Sequence, residues 1–528
     1  MKSQNSQNSY VATLVLLVVL LSFSSSVTSY LYLDDFIPCL QSHSKSPIDQ
    51  SLYHPGTKAF TDVLQAYIRN QRFNKVSIPQ PLLIIAAKDE SHVQATVICA
   101  QENDLHIRIR SGGHDYEGLS YRSNEPFVLL DMFNLRAIHI DLATETAWAQ
   151  AGATLGELYY NIANISSRHA FPAGVCTTIG LGGHISGGGY GNLMRKYGLS
   201  ADHVIDAKVV TANGHILDRK TMGEDLFWAI RGGGAASFAV VLAWKLELVR
   251  VPKIVTVFNV GRTLEEGATD TVLQWQDFAP KANKNLFIRV QPRVVNGTKP
   301  GTKTVDVHFI ALYLGRAKKL VNYLNKSFPL LGLKLEDCHE MPWVKSTQFW
   351  YDMPLVTPTE AILNRTTRNK YFAKFRSDYV QKPISKAGYN LIWNKMIELE
   401  VMFVQFNPYG GRVSEIPEDK IPFPHRAGNL FKIQYNGVWF VDAFADRYLN
   451  ASGELYDTMA RFVSKHPREH FMNYRDLDVG TNDHGNTAFA YSYFKKNLPR
   501  LLETKAKVDP HNFFRYEQSI PVLPHLVH

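Results

Sequence analysis

The sequence predicts an α+β protein with more than one domain. Short apolar runs typical of β-strands alternate with amphipathic helical stretches from Leu82 onward. The pattern changes after Pro252, where longer strands alternate with helices. The chain has 528 residues, of which 45% are apolar. This length exceeds that of one ordinary domain, and the apolar fraction is usual for a globular protein.

The first part of the chain, residues 30–252, has the following predicted elements. We predict strands within 81–87, 106–113, 126–132 and 137–153, helices at 90–103 and 154–166, a hairpin at 203–218, and a helix, glycine turn and strand within 225–251. Val93, Val97 and Ile98 are expected to face inward from the first helix. Asn213-Gly214 is a typical turn of a two-residue hairpin.

The second part predicts a separate α+β domain with an antiparallel sheet, residues 253–465. Predicted strands at 253–260, 285–292 and 304–315 alternate with helices such as 315–328. The last segment, 466–528, has too few apolar residues for a core of its own. We therefore expect it to return to the first domain.

The first 29 residues resemble a signal peptide. Lys2 lies in a polar start, an apolar VATLVLLVVLL run follows, and small polar residues end the segment. The run is shorter than the roughly 20 residues that cross a bilayer, although a signal anchor is the alternative. No later segment is apolar enough to span a membrane. The sequence predicts a soluble, secreted protein of the cell wall or apoplast, with vacuole or vesicles as alternatives.

Five glycosylation sequons agree with export. Asn296 and Asn450 lie in polar, turn-like surroundings and are the favoured acceptors. Which of the five carry glycan is left open. The sequon asparagines are Asn164, Asn296, Asn325, Asn364 and Asn450.

An oxidising compartment favours pairing of the four cysteines, Cys39, Cys99, Cys176 and Cys338. Their spacing leaves three pairings open. None of the cysteines lies close enough to another to suggest a zinc site, so no metal is expected.

The net charge of +9 and the pI near 9.1 raise the question of an acidic partner. The positive charges are scattered, which disfavours nucleic acid. Weak binding to anionic cell-wall polysaccharide and a merely solubilising surface remain as alternatives.

Three glycine-rich turns predict a phosphate-bearing cofactor. They are RSGGHDYEG at 110–118, GLGGHISGGGYG at 180–191 and GGG at 232–234. Such turns expose successive backbone N–H groups, which bind phosphate oxygens. None of them is G-x-G-x-x-G between a strand and a helix, so a nicotinamide Rossmann site is disfavoured. Any single turn could equally be a structural feature of a β-rich domain.

Together with AGVC, LMRKYGL, GEDLFWAIRGGG, NPYGG, PFPHR, KIQY, NYRDLD and VDPHNFFRYEQSIP, these stretches resemble the plant berberine bridge enzyme-like flavoproteins. The resemblance runs from about Cys39 to Pro521. It implies a two-part FAD-binding domain of the vanillyl-alcohol-oxidase (PCMH) type and a substrate domain over the flavin face.

The resemblance also implies how FAD is attached. The histidine of GGHDY, His114, would bond the flavin 8α-methyl group, and the cysteine of AGVC, Cys176, would bond ring carbon 6. Two links would fix the ring and raise its reduction potential. Without the resemblance, these residues would be interpreted as a loop histidine and a small buried thiol. The other implied cofactor contacts are Arg110, Ser111, Gly112, Gly113, Asp115, Gly182, Gly183, Gly187, Gly188 and Asn473.

By the same resemblance, Cys39 and Cys99 form a disulfide that ties the N-terminal helix to the FAD domain. Cys338 is left as a buried free thiol.

The implied catalytic residues are Tyr116, Tyr190, Lys432 and Gln434. Tyr190 would act as the base, and Lys432 would lower its pKa from about 10. Tyr116 and Gln434 would position the substrate. Berberine-bridge closure uses a glutamate base in this region, and the amide of Gln434 cannot replace it.

Two departures from the family pattern concern the pocket. Phe471 stands where a tyrosine is common, so one hydroxyl that could orient the substrate is lost. Ile179 stands where valine accompanies oxidases and leucine accompanies dehydrogenases. The isoleucine side chain is larger than that of valine, which favours a slow reaction of the reduced flavin with oxygen and the use of another electron acceptor.

We expect an FAD-linked oxidoreductase that oxidises a C–H bond next to a hydroxyl in a plant alcohol, carbohydrate or specialised metabolite. One alternative is a cyclase on the same scaffold, with oxidative or Diels–Alder-type ring closure. Another is a non-catalytic glycoprotein. The fold alone cannot decide between them.

Overall fold

A computed structural model describes residues 33–366 and 370–523. The predicted signal peptide lies outside the described residues. Cys39 and Cys99 form a disulfide between the helices Phe36–His43 and Glu90–Glu102, which confirms the expected pairing. No helix in the described ranges is long and apolar enough to span a bilayer.

The fold contains four β-sheets in the described part of the chain. The strands are β1 (Leu52–Tyr53), β2 (Leu83–Ala86), β3 (His106–Arg110), β4 (Phe127–Asp131), β5 (Ile138–Asp141), β6 (Thr146–Gln150), β7 (His169–Ala170), β8 (Val204–Thr211), β9 (Ile216–Leu217), β10 (Ala239–Glu247), β11 (Val249–Arg250), β12 (Val255–Thr263), β13 (Leu286–Asn296), β14 (Lys303–Tyr313), β15 (His339–Met341), β16 (Phe372–Val380), β17 (Met402–Pro408) and β18 (Phe431–Trp439).

Helices connect these strands and cover the sheets. The α-helices are Phe36–His43, Lys58–Ala66, Glu90–Glu102, Leu155–Ile165, Leu181–Ser186, Met194–Tyr197, Arg219–Ala229, Ala268–Phe278, Ala317–Ser327, Trp343–Trp350, Lys386–Leu399, Arg412–Glu415, Ala445–Met459, Ala488–Phe494 and Leu498–Val508.

The first part of the chain forms two larger sheets. The four-stranded sheet has the order β1-β2-β4-β3, in which β2, β4 and β3 run parallel. The five-stranded sheet is antiparallel, with the order β5-β6-β10-β8-β9. The loop that carries His114 leaves the end of β3. The loop that carries Cys176 lies between β7 and the helix Leu181–Ser186.

The second part forms one antiparallel sheet of seven strands, in the order β15-β12-β14-β13-β17-β18-β16. Successive side chains along each strand point to opposite faces of the sheet. On β18, Ile433 and Tyr435 pack with the helices in an apolar core, whereas Gln434 and Asn436 line a cavity on the other face. The predicted antiparallel sheet is therefore present, and one of its faces forms a wall of the candidate site.

The segment after residue 465 contacts the first part of the chain. Lys505 is buried and donates hydrogen bonds to the carbonyls of Ser237 and Phe514, and it forms an ion pair with Asp509. Glu517 pairs with Arg108 at 3.2 Å. The domain division at 252 and 465 remains a prediction.

Two local predictions differ from the structure. Asn450 lies inside the helix Ala445–Met459, not in a turn, because its polar neighbours form the exposed face of an amphipathic helix. Cys338 is half-buried, not fully buried. All five sequon asparagines are exposed.

Candidate active site

A cavity of about 830 Å³ lies between the glycine-rich loops and the polar face of the seven-stranded sheet. Most of the residues predicted for the site line it. These are Ser111, Gly112, Gly113, His114, Asp115, Tyr116, Cys176, Gly182, Gly183, Tyr190, Gln434 and Asn473.

Arg110 does not line the cavity. Its side chain is fully buried, forms an ion pair with Asp131 at 2.7 Å and donates to the carbonyls of Val63 and Leu64. Asp131 is its partner in the parallel register of β3 and β4. The donors of this side chain are therefore already bound within the protein, and its cofactor contact remains a prediction.

Gly187 and Gly188 also lie outside the lining. A Cβ atom on Gly187 would lie 2.0 Å from Asn473 Oδ1, and Gly188 has a φ of +106°. Asn473 Nδ2 donates to the carbonyl of His184 at 2.9 Å. Gly187 allows the C-terminal segment to approach the loop, whereas a Cβ atom on Gly188 would meet Phe423 at 3.1 Å.

The loop after β3 is held by its own side chains. Ser111 Oγ donates to the Ala151 carbonyl at 2.6 Å. Asp115 Oδ1 accepts from the backbone N–H of Glu117 and Leu119, and its Oδ2 pairs with Arg475 at 3.1 Å. The loop is thus held by contacts within the protein.

The lining residues fit a large cofactor with a diphosphate. A Cβ atom on Gly183 would meet nothing within 4 Å, although this glycine lines the cavity. Arg108 is 5% exposed and also lines the cavity, and its Nε and Nη1 atoms have no hydrogen-bond partner among the described residues. An anionic cofactor would occupy the open space beside Gly183 and accept hydrogen bonds from the unpartnered guanidinium donors of Arg108.

His114 and Cys176 line the same cavity from two different loops. His114 Nε2 forms a hydrogen bond with Thr178 Oγ1 at 2.9 Å. Burial, assisted by the nearby Arg69, lowers the pKa of His114 to about 3, so its imidazole is neutral at neutral pH. Burial raises the pKa of the Cys176 thiol.

Three tyrosines form the centre of the site. Tyr190 and Tyr474 share a hydrogen bond between their hydroxyls, and the rings of Tyr116 and Tyr474 stack with centroids 5.4 Å apart. Gln434 Nε2 donates to the Tyr116 hydroxyl at 2.7 Å. The structure therefore brings together Tyr116, Tyr190 and Gln434, and it adds Tyr474, which sequence reasoning did not single out within NYRDLD.

Lys432 lies behind the tyrosines and does not line the cavity. Its Nζ atom is 3.2 Å from the ring centroid of Tyr190 and 3.7 Å from that of Phe471. It has no hydrogen-bond partner in the described part of the chain. Burial, together with repulsion from Arg289, lowers the pKa of Lys432 well below 10.5.

Arg289 is a second cation that sequence reasoning missed. It lines the cavity, donates from Nε to Asn407 Oδ1 at 2.8 Å and hydrogen-bonds the Tyr190 side chain. Burial raises the pKa of Tyr190, and Arg289 opposes that increase. The expected role of Lys432 in lowering this pKa remains a prediction. A single arginine within the apolar strand NLFIRVQP was the available signal.

The comparisons with known proteins decide the family. A family model described as an FAD binding domain matches residues 81–219, and one described as berberine and berberine like matches residues 470–521. Berberine bridge enzyme-like 4 from Arabidopsis thaliana is 51% identical over 516 residues, which cover 96% of this chain and 97% of the relative. The chain belongs to the berberine bridge enzyme-like family. It is therefore an FAD-linked oxidoreductase with a PCMH-type FAD-binding fold.

Two solved structures are similar along nearly their whole length. The grass pollen allergen Phl p 4, which has glucose dehydrogenase activity, is 43% identical with a TM-score of 0.88, covering 93% of this chain and 100% of that one. A variant of Phl p 4 with one isoleucine replaced by valine is a glucose oxidase. The berberine bridge enzyme from Eschscholzia californica is 35% identical with a TM-score of 0.87, covering 93% and 99%.

The two departures from the family pattern both lie at the cavity. Ile179 lines it, and its N–H donates to the Cys176 carbonyl at 3.2 Å, so both residues share one turn. Phe471 is buried against Tyr190, with ring centroids 5.6 Å apart. Tyr474, three residues later, supplies a hydroxyl to the same centre.

Proposed function

We propose that this protein is a secreted oxidoreductase with FAD bonded to His114 and Cys176, and that it oxidises a C–H bond next to a hydroxyl. The observation that carries the proposal is that His114, Cys176 and Tyr190 line one cavity. The substrates would be plant alcohols, carbohydrates or specialised metabolites. The glucose dehydrogenase activity of Phl p 4 supports an alcohol-type substrate.

The proposed covalent attachment of FAD is supported by the protonation state and the hydrogen bond of His114. The imidazole of His114 is neutral and its Nε2 is engaged by Thr178, which leaves Nδ1 for the covalent link. Arg108, Asp115, Asn473 and the glycine loops would hold the rest of the cofactor. When bound, FAD supplies a hydride acceptor at its N5 atom.

Tyr190 is the proposed base that takes the substrate hydroxyl proton. Because burial raises its pKa, it needs cationic support, and Arg289 and Lys432 lie against it. Burial disfavours the charged form of each group, since it raises the pKa of Tyr190 and lowers that of Lys432. The proposed base therefore depends on the tyrosinate forming together with a neighbouring positive charge, and Arg289 opposes the rise in the Tyr190 pKa.

Tyr116 and Gln434 would orient the substrate. The Gln434 amide fixes the Tyr116 hydroxyl as an acceptor at 2.7 Å, so the proton of that hydroxyl remains available to a ligand. Burial raises the pKa of Tyr116 well above 10, which keeps it protonated as a donor.

Secretion is supported by the disulfide and by the exposure of all five sequon asparagines. The final electron acceptor would be oxygen or another oxidant. Ile179 at the cavity favours a slow reaction with oxygen.

The test is an anaerobic spectrum of the purified protein with a panel of alcohols, oligosaccharides and phenolics, followed by air. We expect acid-denatured protein to keep its yellow colour, single His114→Ala and Cys176→Ala variants to keep it as well, and the double variant to lose it. Loss of colour from the denatured wild-type protein would refute the attachment.

A second comparison tests the base. We expect Tyr190→Phe to slow flavin reduction by about 10²–10⁴-fold, the usual contribution of a general base. Tyr409→Phe is the matched control, because Tyr409 is also buried and its hydroxyl is also hydrogen-bonded to a tyrosine, Tyr379, but it does not line the cavity. Equal rates in both variants would exclude Tyr190 as the base.

A further inference from the structure

A network of charged side chains centred on Lys374 lies behind the tyrosine cluster. Lys374 Nζ lies 2.7 Å from Glu117 Oε1 and 2.6 Å from Asp476 Oδ1. It also lies 3.2 Å from Asp478 Oδ2, and Arg376 pairs with both aspartates. The side chains of Lys374, Glu117 and Asp476 are buried. These five charged residues do not line the cavity.

Stability alone does not account for this buried network. Replacement of a whole buried ion-pair group by apolar residues is often neutral or stabilising, because taking charges out of water carries a large free-energy cost. Charge-assisted hydrogen bonds are directional, however, so they favour one arrangement of the segments that they join. The network is therefore suited to fixing the relative positions of those segments.

The network joins three distant segments of the chain, and each segment carries an aromatic residue that lines the cavity. The ring centroid of Tyr116 lies 4.3 Å from that of Phe375 and 5.4 Å from that of Tyr474. The aromatic residues and their charged neighbours in the chain are Tyr116 and Glu117, Phe375 and Lys374, and Tyr474 and Asp476. β16, which carries Lys374, is the edge strand of the seven-stranded sheet. The network therefore ties a segment of the FAD region and a C-terminal segment to this edge.

The hydroxyls of the site depend on the positions of these segments. Tyr474 shares a hydrogen bond with Tyr190, and the Tyr116 hydroxyl accepts one from Gln434 at 2.7 Å. A displacement of either segment would move a hydroxyl away from its partner.

We propose that Lys374 is a positioning residue, whose ammonium group fixes the stacked pair of Tyr116 and Tyr474 in the site. This inference rests on the proposed function, in which Tyr116 orients the substrate and Tyr190 takes its proton. Lys374 acts through the two segments that it joins, because it does not line the cavity itself.

The test measures anaerobic stopped-flow reduction of the flavin-loaded Lys374→Met variant by D-glucose and by benzyl alcohol. We expect the limiting rate to fall by about 10–10²-fold, because a misplacement of about 1 Å at a reacting centre can cost up to that factor. Arg426→Met is the matched control. Arg426 is fully buried and pairs with both carboxylate oxygens of Asp202, at 2.7 and 2.9 Å, but neither residue lines the cavity. It should destabilise the fold and leave the limiting rate unchanged, and equal slowing in both variants would overturn the inference.

The pH dependence of the rate separates positioning from a loss of stability. The hydrogen bond with Tyr474 lowers the pKa of Tyr190. If Lys374→Met displaces Tyr474, the pKa of Tyr190 rises, and flavin reduction should reach its half-maximal rate at a higher pH. The profile of Arg426→Met should match that of the wild type. An unshifted profile in Lys374→Met would contradict the proposed role.

A structural measurement separates this inference from the proposed function. Crystal structures of the variants give the separation of the Tyr116 and Tyr474 ring centroids, which is 5.4 Å in the native protein. We expect this separation to increase in Lys374→Met and to stay the same in Arg426→Met. If neither probe reduces the wild-type flavin, the oxidation of these alcohols fails, and the ring separation still decides the role of Lys374.

Glu117→Gln and its control Asp202→Asn are a milder pair, for use if Lys374→Met does not fold. Both carboxylates are buried and paired with a cation, but only Glu117 belongs to the network. The ring separation should increase in Glu117→Gln only. A native separation in folded Lys374→Met, or in Glu117→Gln where Lys374→Met does not fold, would overturn the inference.

Discussion

Replacement of Lys432 by methionine tests whether this lysine is an unfavourable buried charge kept for function. Its Nζ has no hydrogen-bond partner among the described residues, and its stabilising contacts are with the faces of Tyr190, Phe471 and Tyr474. Desolvated cation–π contacts contribute about 2 kcal/mol or more each, and burial of an ammonium group costs several kcal/mol, so the two effects nearly offset each other. We therefore expect Lys432→Met to change the free energy of unfolding by about 0 to 2 kcal/mol in the stabilising direction, while flavin reduction slows markedly.

Lys374→Met is the matched control. Lys374 is also almost fully buried and lies on the neighbouring strand, but its Nζ pairs with Glu117 at 2.7 Å and with Asp476 at 2.6 Å. Its removal leaves Asp476 with Arg376 at 3.1 Å and Glu117 with only the distant Arg72 at 4.0 Å. The loss of the close ion pairs of two buried carboxylates should cost about 3–5 kcal/mol. Urea unfolding of both variants measures the difference.

The pH dependence of stability should also differ between the two lysines. Because the folded-state pKa of Lys432 lies below 10.5, the unfolded chain binds more protons there, and stability rises with pH between those values. The Glu117 and Asp476 carboxylates outweigh burial and raise the pKa of Lys374, so its contribution is complete below 10.5 and is lost as pH rises through its folded-state pKa. Lys432→Met should remove the first slope only. If Lys432→Met destabilises the protein as much as Lys374→Met does, the argument from the missing partner is refuted.

Three further predictions concern oxygen, acid and the disulfide. Ile179→Val should speed reoxidation of the reduced flavin by air by about tenfold, which corresponds to about 1.4 kcal/mol in the barrier, and Ile179→Leu should not; stopped-flow mixing with oxygen measures both. Burial, assisted by Arg468, lowers the pKa of His470 to about 3. The free energy of unfolding should therefore fall by up to about 1.4 kcal/mol per pH unit as the pH drops from 6.5 towards 3. His470→Gln should lessen that fall, as measured by urea unfolding at a series of acidic pH values. The double variant C39S/C99S should lose about 2–5 kcal/mol of stability, measured by urea unfolding, and a result within error of the wild type would contradict a stabilising role for this link.

Local features of the sequence were enough to predict most elements of the fold. The helix Leu155–Ile165 begins with a capping box between Thr154 and Glu157, and the hairpin of β8 and β9 turns at Asn213-Gly214, where Gly214 has a φ of +73°. Both signals act over a few residues. They therefore predict structure without knowledge of the rest of the chain.

The contacts of the site depend on residues that are distant in sequence. Arg289 on β13, Tyr474 near the C-terminus and Tyr190 in a glycine loop meet only after the seven-stranded sheet has packed against the FAD region. The position of the Arg110 side chain depends on such a contact as well, since Asp131 reaches it through sheet register. Resemblance identified the loops, but not which side chains are already bound to other parts of the protein.

One part of the site could have been predicted from the alternation of side chains along β18. In FKIQYN, Phe431, Ile433 and Tyr435 belong to the helix-covered core, so Lys432, Gln434 and Asn436 must share the opposite face. A lysine at the start of such a face is buried as soon as another surface covers it. That covering surface is the tyrosine cluster, and the same burial that lowers the pKa of Lys432 raises the pKa of Tyr190. Two opposite pKa shifts at one buried contact are therefore a consequence of strand geometry. They favour the neutral forms of Tyr190 and Lys432, so the proposed base depends on the charge of Arg289, which opposes the rise in the Tyr190 pKa.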